Sequence, residues 1–268
     1  MSMSQTGSKK RCIVIIPIYK PALDKDAEGC VRRYVDILKD RDICFVCPEH
    51  LDRSWYQERF ENVQFVNFPD KFFTGTKSYN HLLLDTKFYD RFAGYDYMLI
   101  AQDDACIMTE TDMLDEFMDM GYDYYGAPWI PERRIWEWTF HKKKSFPFFR
   151  IRCAKKKGQG ITMGNGGFCL RNVAKSKALI KEFAWRKIYW FFKRNEDIFF
   201  GLFGQYNKCG FKPADVDTGL KFAREYNLKE SIDKGLIPFG IHGYKKEFDS
   251  FEDMKNYMQE RGYWKTNL

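Results

Sequence analysis

The chain has 268 residues, of which 44% are hydrophobic and 18% aromatic, so it can bury at least one large core. Its net charge of +7 favours anionic partners such as diphosphates, but no nucleic-acid-binding motif accompanies that charge and we expect no nucleic acid partner. The sequence shows neither a signal peptide nor the run of about 18 apolar residues of a spanning helix. It therefore predicts a cytoplasmic protein, soluble or attached to the inner face of a membrane.

The first hundred residues alternate between strand-like and helix-like patterns. The strand-like runs are short, apolar and rich in β-branched residues, as in buried parallel strands, and helical spacing separates them. This order predicts an α/β fold, a doubly wound, Rossmann-type sandwich with a central, mostly parallel sheet flanked by helices. The predicted strands span residues 12–17, 43–47, 63–68 and 95–101, and the predicted helices span residues 27–40, 52–60 and 76–92.

Polar residues follow three of these strands, at residues 17–20, 48–49 and 102–104, where ligands of such sheets bind. Asp103 and Asp104 end a buried strand, and carboxylates there cost desolvation unless a cation meets them. A divalent cation that bridges a donor diphosphate would meet them. The alternative is that the two aspartates cap the helix predicted near residue 110.

The second half is less regular, with helices predicted at residues 110–120, 173–194 and 250–261. A glycine-rich stretch at residues 160–170 ends in a strand. Because no linker or repeat interrupts the chain, we predict one continuous domain over residues 1–268.

Three further segments carry residues suited to chemistry. The glycines of segment 164–172 suggest close approach of the backbone to a ligand, although a plain tight turn explains them as well. In segment 195–197 one carboxylate can act as a general base, or the acidic residues can simply suit a helix start. His242, between glycines, can complete a metal shell begun by Asp104 or be an ordinary loop residue.

Together these segments resemble the GT-A class of glycosyltransferases and, more closely, a family of bacterial glycosyltransferases formerly catalogued as a domain of unknown function. The matching blocks occur in the family's order over roughly residues 12–245. They are residues 17–21, 79–84, 95–104, 123–129, 164–172, 196–200 and 239–242.

The resemblance implies a nucleotide-binding half at residues 12–104, an acceptor-binding half at 105–245 and a C-terminal helical tail at 246–268. It implies a divalent metal, Mn²⁺ or Mg²⁺, held by Asp104 and His242, with Gln102 at the first position of a D-x-D-like motif. One charged ligand is therefore missing. Nucleotide-sugar binding falls to Pro17, Tyr19, Lys20, Glu49, Asn80, Gln102, Asp103, Asp104, Gly166 and Gly167.

The resemblance also implies a hexosyltransferase-type reaction in polysaccharide biosynthesis, with a UDP-sugar favoured as donor. Asp197 corresponds to the base of inverting members, and Glu196 is a second catalytic candidate that binds the acceptor. Trp129 is a candidate platform for the acceptor sugar, or else a core tryptophan. Lys20 and Arg171 are expected to stabilise the leaving diphosphate.

The acceptor is expected to be a carbohydrate or a lipid-linked sugar. The predicted helix at 173–194 is basic and aromatic, so it can lie on an anionic membrane surface or pack against the protein. Two other functions stay open. One is a sugar-1-phosphate nucleotidyltransferase. Such an enzyme needs a basic, glycine-rich loop after the first strand, where this chain has the glycine-free residues 17–21. The other is a non-catalytic carbohydrate-binding or scaffold protein.

Overall fold

The structure, a computed structural model, describes residues 9–133, 161–184, 195–205 and 207–265, with the backbone alone at 131–133 and 161–162. Its first half contains the predicted parallel strands, in the spatial order β3-β2-β1-β4. The central strand β1 is buried at every position, as its uninterrupted apolar run predicts. These strands are β1 (Cys12–Pro17), β2 (Asp42–Pro48), β3 (Gln64–Phe68) and β4 (Tyr97–Ala101).

Capping aspartates begin two of the helices in this half. Asp24 accepts a hydrogen bond from the backbone N–H of Ala27, so the first helix begins earlier than predicted. The helix predicted at 76–92 is in fact two helices, because Asp85 caps a new start by accepting from the N–H of Lys87. The helices are α1 (Lys25–Ile37), α2 (Ser54–Arg59), α3 (Thr76–Leu83) and α4 (Thr86–Asp90).

The second half extends the sheet with antiparallel pairing. Strand β9 runs antiparallel to β4, and β6 pairs with β9, which gives the order β3-β2-β1-β4-β9-β6. The mostly parallel α/β sheet flanked by helices is therefore confirmed. The new elements are β5 (Ala105–Ile107), α5 (Leu114–Asp119), β6 (Tyr124–Tyr125), β7 (Pro128–Arg133), β8 (Ile161–Met163) and β9 (Phe168–Asn172).

A second sheet of three short strands, ordered β10-β11-β5, adjoins the end of β4. Its register places His242, the last residue of β11, opposite Ala105. His242 therefore lies on a strand and not in a loop. The remaining elements are α6 (Val173–Glu182), α7 (Glu196–Phe203), α8 (Val216–Phe222), β10 (Ala223–Arg224), α9 (Leu228–Asp233), β11 (Gly240–His242) and α10 (Phe251–Glu260).

One predicted helix falls partly outside the described residues. The helix predicted at 173–194 is seen as α6, and the basic, aromatic residues at 185–194 lie outside the described part of the chain. No helix among the described residues is long and apolar enough to cross a membrane.

Phenylalanine rings join the two sheets. Phe168 at the start of β9 lies 5.4 Å from Phe222 at the end of α8 and 5.7 Å from Phe239, which precedes β11, between ring centroids. Phe117 of α5 packs edge-on against Phe222 at 5.0 Å. All four side chains are buried, and this aromatic cluster packs the β11 segment against β9.

Replacement of Phe222 by alanine tests this role. Phe222→Ala removes a fully buried ring and is expected to lower the free energy of unfolding by about 3–5 kcal/mol, measured by urea denaturation. The control is Leu236→Ala, at a side chain that is 58% exposed, which should change the stability by less than about 0.5 kcal/mol. Equal effects of the two changes would contradict the structural role of the cluster.

Candidate functional site

The end of β4 and the start of β9 meet at two glycines. The backbone N–H of Gln102 donates to the carbonyl oxygen of Gly167 at 2.8 Å. A Cβ atom on Gly167 would lie 2.2 Å from Nε2 of His242 and 2.8 Å from Oε1 of Gln102. Gly167 is therefore required by close approach of side chains and not by turn geometry, since the left-handed residue of this segment is Asn165, at φ +46°.

A cavity of about 390 Å³ opens beside these glycines. Its wall contains carboxylates, amides and aromatic rings brought from both halves of the chain. Eight of the predicted site residues line it, namely Asn80, Gln102, Trp129, Gly166, Gly167, Glu196, Asp197 and His242. Seven residues that the sequence prediction did not assign to the site complete the wall, namely Thr76, Tyr79, Ile130, Asn165, Asn195, Glu225 and Tyr226.

Asp104 and His242 meet at the rim of this cavity, with Oδ1 of the aspartate 3.2 Å from Nε2 of the histidine. Burial would raise the pKa of Asp104, but the hydrogen bond from His242, together with the charge of Lys246, outweighs it and lowers the pKa. Helix α5 begins at Leu114, well beyond the two aspartates. The alternative that the aspartates cap that helix is therefore wrong.

Asn165 fixes the orientation of the histidine ring. Its Oδ1 accepts the backbone N–H of Gly167 at 2.9 Å, so its Nδ2 faces Nδ1 of His242 at 2.8 Å and donates to it. The ring therefore carries its hydrogen on Nε2 and donates it to Asp104. Ligation of a metal by Nε2 requires the other tautomer, with the oxygen of Asn165 turned towards Nδ1.

The Asp104–His242 pair fits a divalent cation in distance. Two neighbouring ligands of an octahedral ion, each about 2.1 Å from it, lie roughly 3 Å apart, close to the observed 3.2 Å. Among the described residues no group of three His, Cys, Asp or Glu side chains could hold a metal alone. A cation here would therefore need oxygen atoms from a bound phosphate group or from water, which is common for Mg²⁺.

Glu225 and Lys246 form a second charged pair next to His242. Burial raises the pKa of Glu225, but hydrogen bonds from Lys246 and Asn165 and the charge of Lys246 lower it below its ordinary value of 4.5. Nζ of Lys246 also lies 4.2 Å from the centre of the Tyr226 ring. The pair places an ionised carboxylate in the cavity wall and a lysine whose charge reaches Asp104.

Arg171 lies beneath the cavity and not in it. The side chain is wholly buried, and its Nη2 donates to Oε1 of Glu196 at 2.7 Å. It therefore cannot reach a diphosphate, and the expectation that Arg171 stabilises the leaving group is wrong.

The start of α7 presents Glu196 and Asp197 to the cavity, and Asn80 holds that helix end in place. Nδ2 of Asn80 donates to Oδ1 of Asn195 at 3.2 Å, and its Oδ1 accepts the backbone N–H of Glu196 at 3.4 Å. Asp197 is 8% exposed and lines the cavity. The acidic residues thus lie at a helix start and also face a cavity, so the two interpretations of segment 195–197 are compatible.

The residues predicted to bind the nucleoside lie along the same sheet edge, outside the cavity wall. Tyr19 is 53% exposed, with Nζ of Lys20 5.5 Å from its ring centre. Burial and the charge of Asp104 raise the pKa of Asp103, while the charge of Lys20 opposes them. Pro17 is buried at the end of β1, and Glu49 is exposed beyond the end of β2.

Trp129 is both a core tryptophan and a wall of the cavity. Only 8% of it is exposed, and a Cβ atom on Gly164 would lie 2.3 Å from its ring. Tyr226, which is 55% exposed, offers more open ring surface at the same cavity.

Sequence comparison identifies one family. The model of the family described as a protein of unknown function (DUF5672) matches residues 62–242. The chain belongs to the DUF5672 family. No curated protein matches the sequence.

Structure comparison shows the fold of this DUF5672 protein. It is similar to the galactosyltransferase LgtC, solved in complex with donor and acceptor sugar analogues, with 13% identity, a TM-score of 0.50 and coverage of 96% of this chain and 97% of that chain. It is also similar to the bifunctional glycosyltransferase WbbM in its apo form, with 12% identity, a TM-score of 0.52 and coverage of 93% of this chain and 50% of that chain. The protein therefore has the GT-A fold of glycosyltransferases.

The charge of Lys246 should stabilise the fold in a pH-dependent way. Because the pKa of Glu225 is lowered in the folded state, the pair stabilises the protein above pH 4.5 and loses that effect as the pH falls through the folded-state pKa. Lys246→Met should therefore lower the free energy of unfolding more at neutral pH than in acid, measured by urea denaturation at both pH values.

Lys234→Met is the control for that experiment. It removes the ion pair with Glu230, in which both side chains are 61% exposed, so little change is expected at either pH. An effect of Lys246→Met that does not depend on pH would show that the lysine stabilises by packing alone.

Proposed function

We propose that this DUF5672 protein is a hexosyltransferase-type glycosyltransferase that moves a sugar from a nucleoside diphosphate donor, with UDP favoured, to a carbohydrate or glycolipid acceptor. The observation that carries the proposal is one cavity, at the carboxyl end of β4 in a GT-A fold, that is lined by Gln102, His242 and the acidic pair Glu196–Asp197. Ligands of such sheets bind at this edge. Residues 12–104 would form the nucleotide half and residues 105–245 the acceptor half.

The diphosphate of the donor would lie beside Asp104 and His242. A divalent cation held by these two residues would neutralise charge on the departing diphosphate. Lys20 and Lys246 are the protein's own cations for that charge, since the charge of each acts on the carboxylate pair Asp103–Asp104. Lys246 takes the place that the sequence prediction gave to Arg171.

Asp197 would act as the general base at the far side of the cavity. Its carboxylate takes the proton of an acceptor hydroxyl as the oxygen attacks the anomeric carbon. The new bond forms between that oxygen and the anomeric carbon, and the bond to the diphosphate breaks with its electron pair leaving on the diphosphate. Attack from the face opposite the diphosphate inverts the anomeric configuration.

Donor binding is tested by thermal unfolding with UDP, GDP, CMP and dTDP, each with Mn²⁺ or with EDTA. A ligand at about 100 times its dissociation constant adds roughly 2.7 kcal/mol of stability, so one nucleotide should raise Tm in the presence of Mn²⁺. Asp104→Asn should abolish that metal-dependent shift. Glu61→Gln, a change of an exposed carboxylate after α2, should retain it.

Two outcomes would decide against the proposal. If no nucleotide changes Tm, the donor site is wrong and a carbohydrate-binding or scaffold protein is favoured. If the shift survives Asp104→Asn, the nucleotide binds elsewhere.

Asp197→Asn tests the base. The isosteric change should lower the turnover number by about 10²- to 10⁴-fold and leave the nucleotide-induced shift in Tm intact. The measurement is release of the nucleoside diphosphate from the sugar donor in the presence of a panel of acceptor sugars. Asp217→Asn is the matched control, because Asp217 lies in the first turn of α8, outside the cavity wall. Full activity of Asp197→Asn would exclude the residue as base.

A further inference from the structure

The buried pair Arg171–Glu196 lies directly under the proposed acceptor site. None of the Arg171 side chain and only 6% of the Glu196 side chain is exposed. A buried ion pair adds little net stability, because desolvation offsets the attraction and a well-packed apolar pair often does as well. A contribution to the stability of the fold therefore does not by itself explain the presence of this buried ion pair.

Arg171 is held on every side. Nη1 donates to the hydroxyl of Tyr89 at 3.2 Å, Nε donates to Sγ of Cys169 at 3.1 Å, and the guanidinium lies 4.6 Å from the ring centre of Phe200. The third hydrogen bond of the guanidinium runs from Nη2 to Oε1 of Glu196. A guanidinium fixed in this way holds the carboxylate of Glu196 in one position.

Glu196 uses only one of its two carboxylate oxygens in this pair. Oε1 faces Arg171 and Gly166, where a Cβ atom would lie 2.1 Å from it. Oε2 has no hydrogen-bond partner among the described residues, and the side chain lines the cavity. The oxygens of a carboxylate that pairs with a guanidinium accept hydrogen bonds, so the partner of Oε2 in the cavity must be a donor.

We infer that Arg171 is a positioning residue that holds Glu196 so that Oε2 accepts a hydrogen bond from a hydroxyl of a neutral sugar. The inference rests on the proposed function and deepens it. It names the class of sugar at this point of the cavity: a neutral hexose is accepted, and a sugar with a carboxylate directed at Glu196 is repelled.

The experiment compares methyl hexosides with the corresponding methyl uronates. Dissociation constants are measured by saturation-transfer NMR on the full chain with UDP present. The wild-type protein should bind at least one hexoside and discriminate against its uronate. Arg171→Lys, which keeps the charge but loses the fixed fork, and Glu196→Gln should each weaken hexoside binding about tenfold or more.

The double variant Arg171→Met with Glu196→Gln distinguishes a positioning role of Arg171 from a general effect of the substitution on stability. It leaves no unpaired buried charge, so its Tm should exceed that of Arg171→Met alone. It should nevertheless lose the discrimination between hexoside and uronate, which loss of stability alone would not produce. Arg33→Met is the matched control: it removes another buried arginine, paired with Glu110 at 2.8 Å, and should lower Tm without changing sugar selectivity.

The outcomes are distinguishable. If no nucleotide binds, the proposed function fails. If UDP binds but wild-type protein binds no hexoside, or if Arg171→Lys and the double variant keep wild-type affinity and selectivity, the role of Arg171 is overturned and the donor site stands.

Discussion

The approach of the Gly166–Gly167 backbone to the end of β4 is the constraint on which the site depends. The 2.8 Å bond from the N–H of Gln102 to the carbonyl of Gly167 joins β9 to the strand that carries the two aspartates. Gly167 has no side chain, so the ring of His242 can lie directly against its backbone. Gly166 likewise leaves room for the carboxylate of Glu196 against its backbone. A methyl group at either position would push apart the two halves of the cavity.

Three carboxylates around the cavity pair with cationic or histidine side chains that are distant in sequence. Asp104 meets His242, Glu196 meets Arg171, and Glu225 meets Lys246. Each partner offsets part of the desolvation cost of a carboxylate at a sheet edge. The cavity can thus be rich in acidic groups while the described core around it stays mostly apolar.

Several features of the fold followed from local patterns. The strands β1 to β4 were predicted to within two residues, because a parallel strand buried on both faces is an uninterrupted apolar run. The helix predicted at 76–92 was wrong in its continuity, because the apolar spacing continues through Asp85 although its side chain starts a new helix. Gln102, Asp104 and His242 lie close together, and their roles in binding and catalysis stay predictions.

The sequence did not predict that three polar residues belong to the site, namely Asn165, Glu225 and Lys246. Each is an ordinary polar residue whose role depends on a partner distant in sequence. Asn165 had one available signal, its place between glycines in a turn. The sequence by itself determined the α/β sheet, the polar segments at the carboxyl edge of its strands and their order, because those follow from periodicity and short-range order. Only the tertiary structure decided which charges meet, and it placed Arg171 under Glu196 and not in the cavity wall, because pairing depends on packing between distant segments.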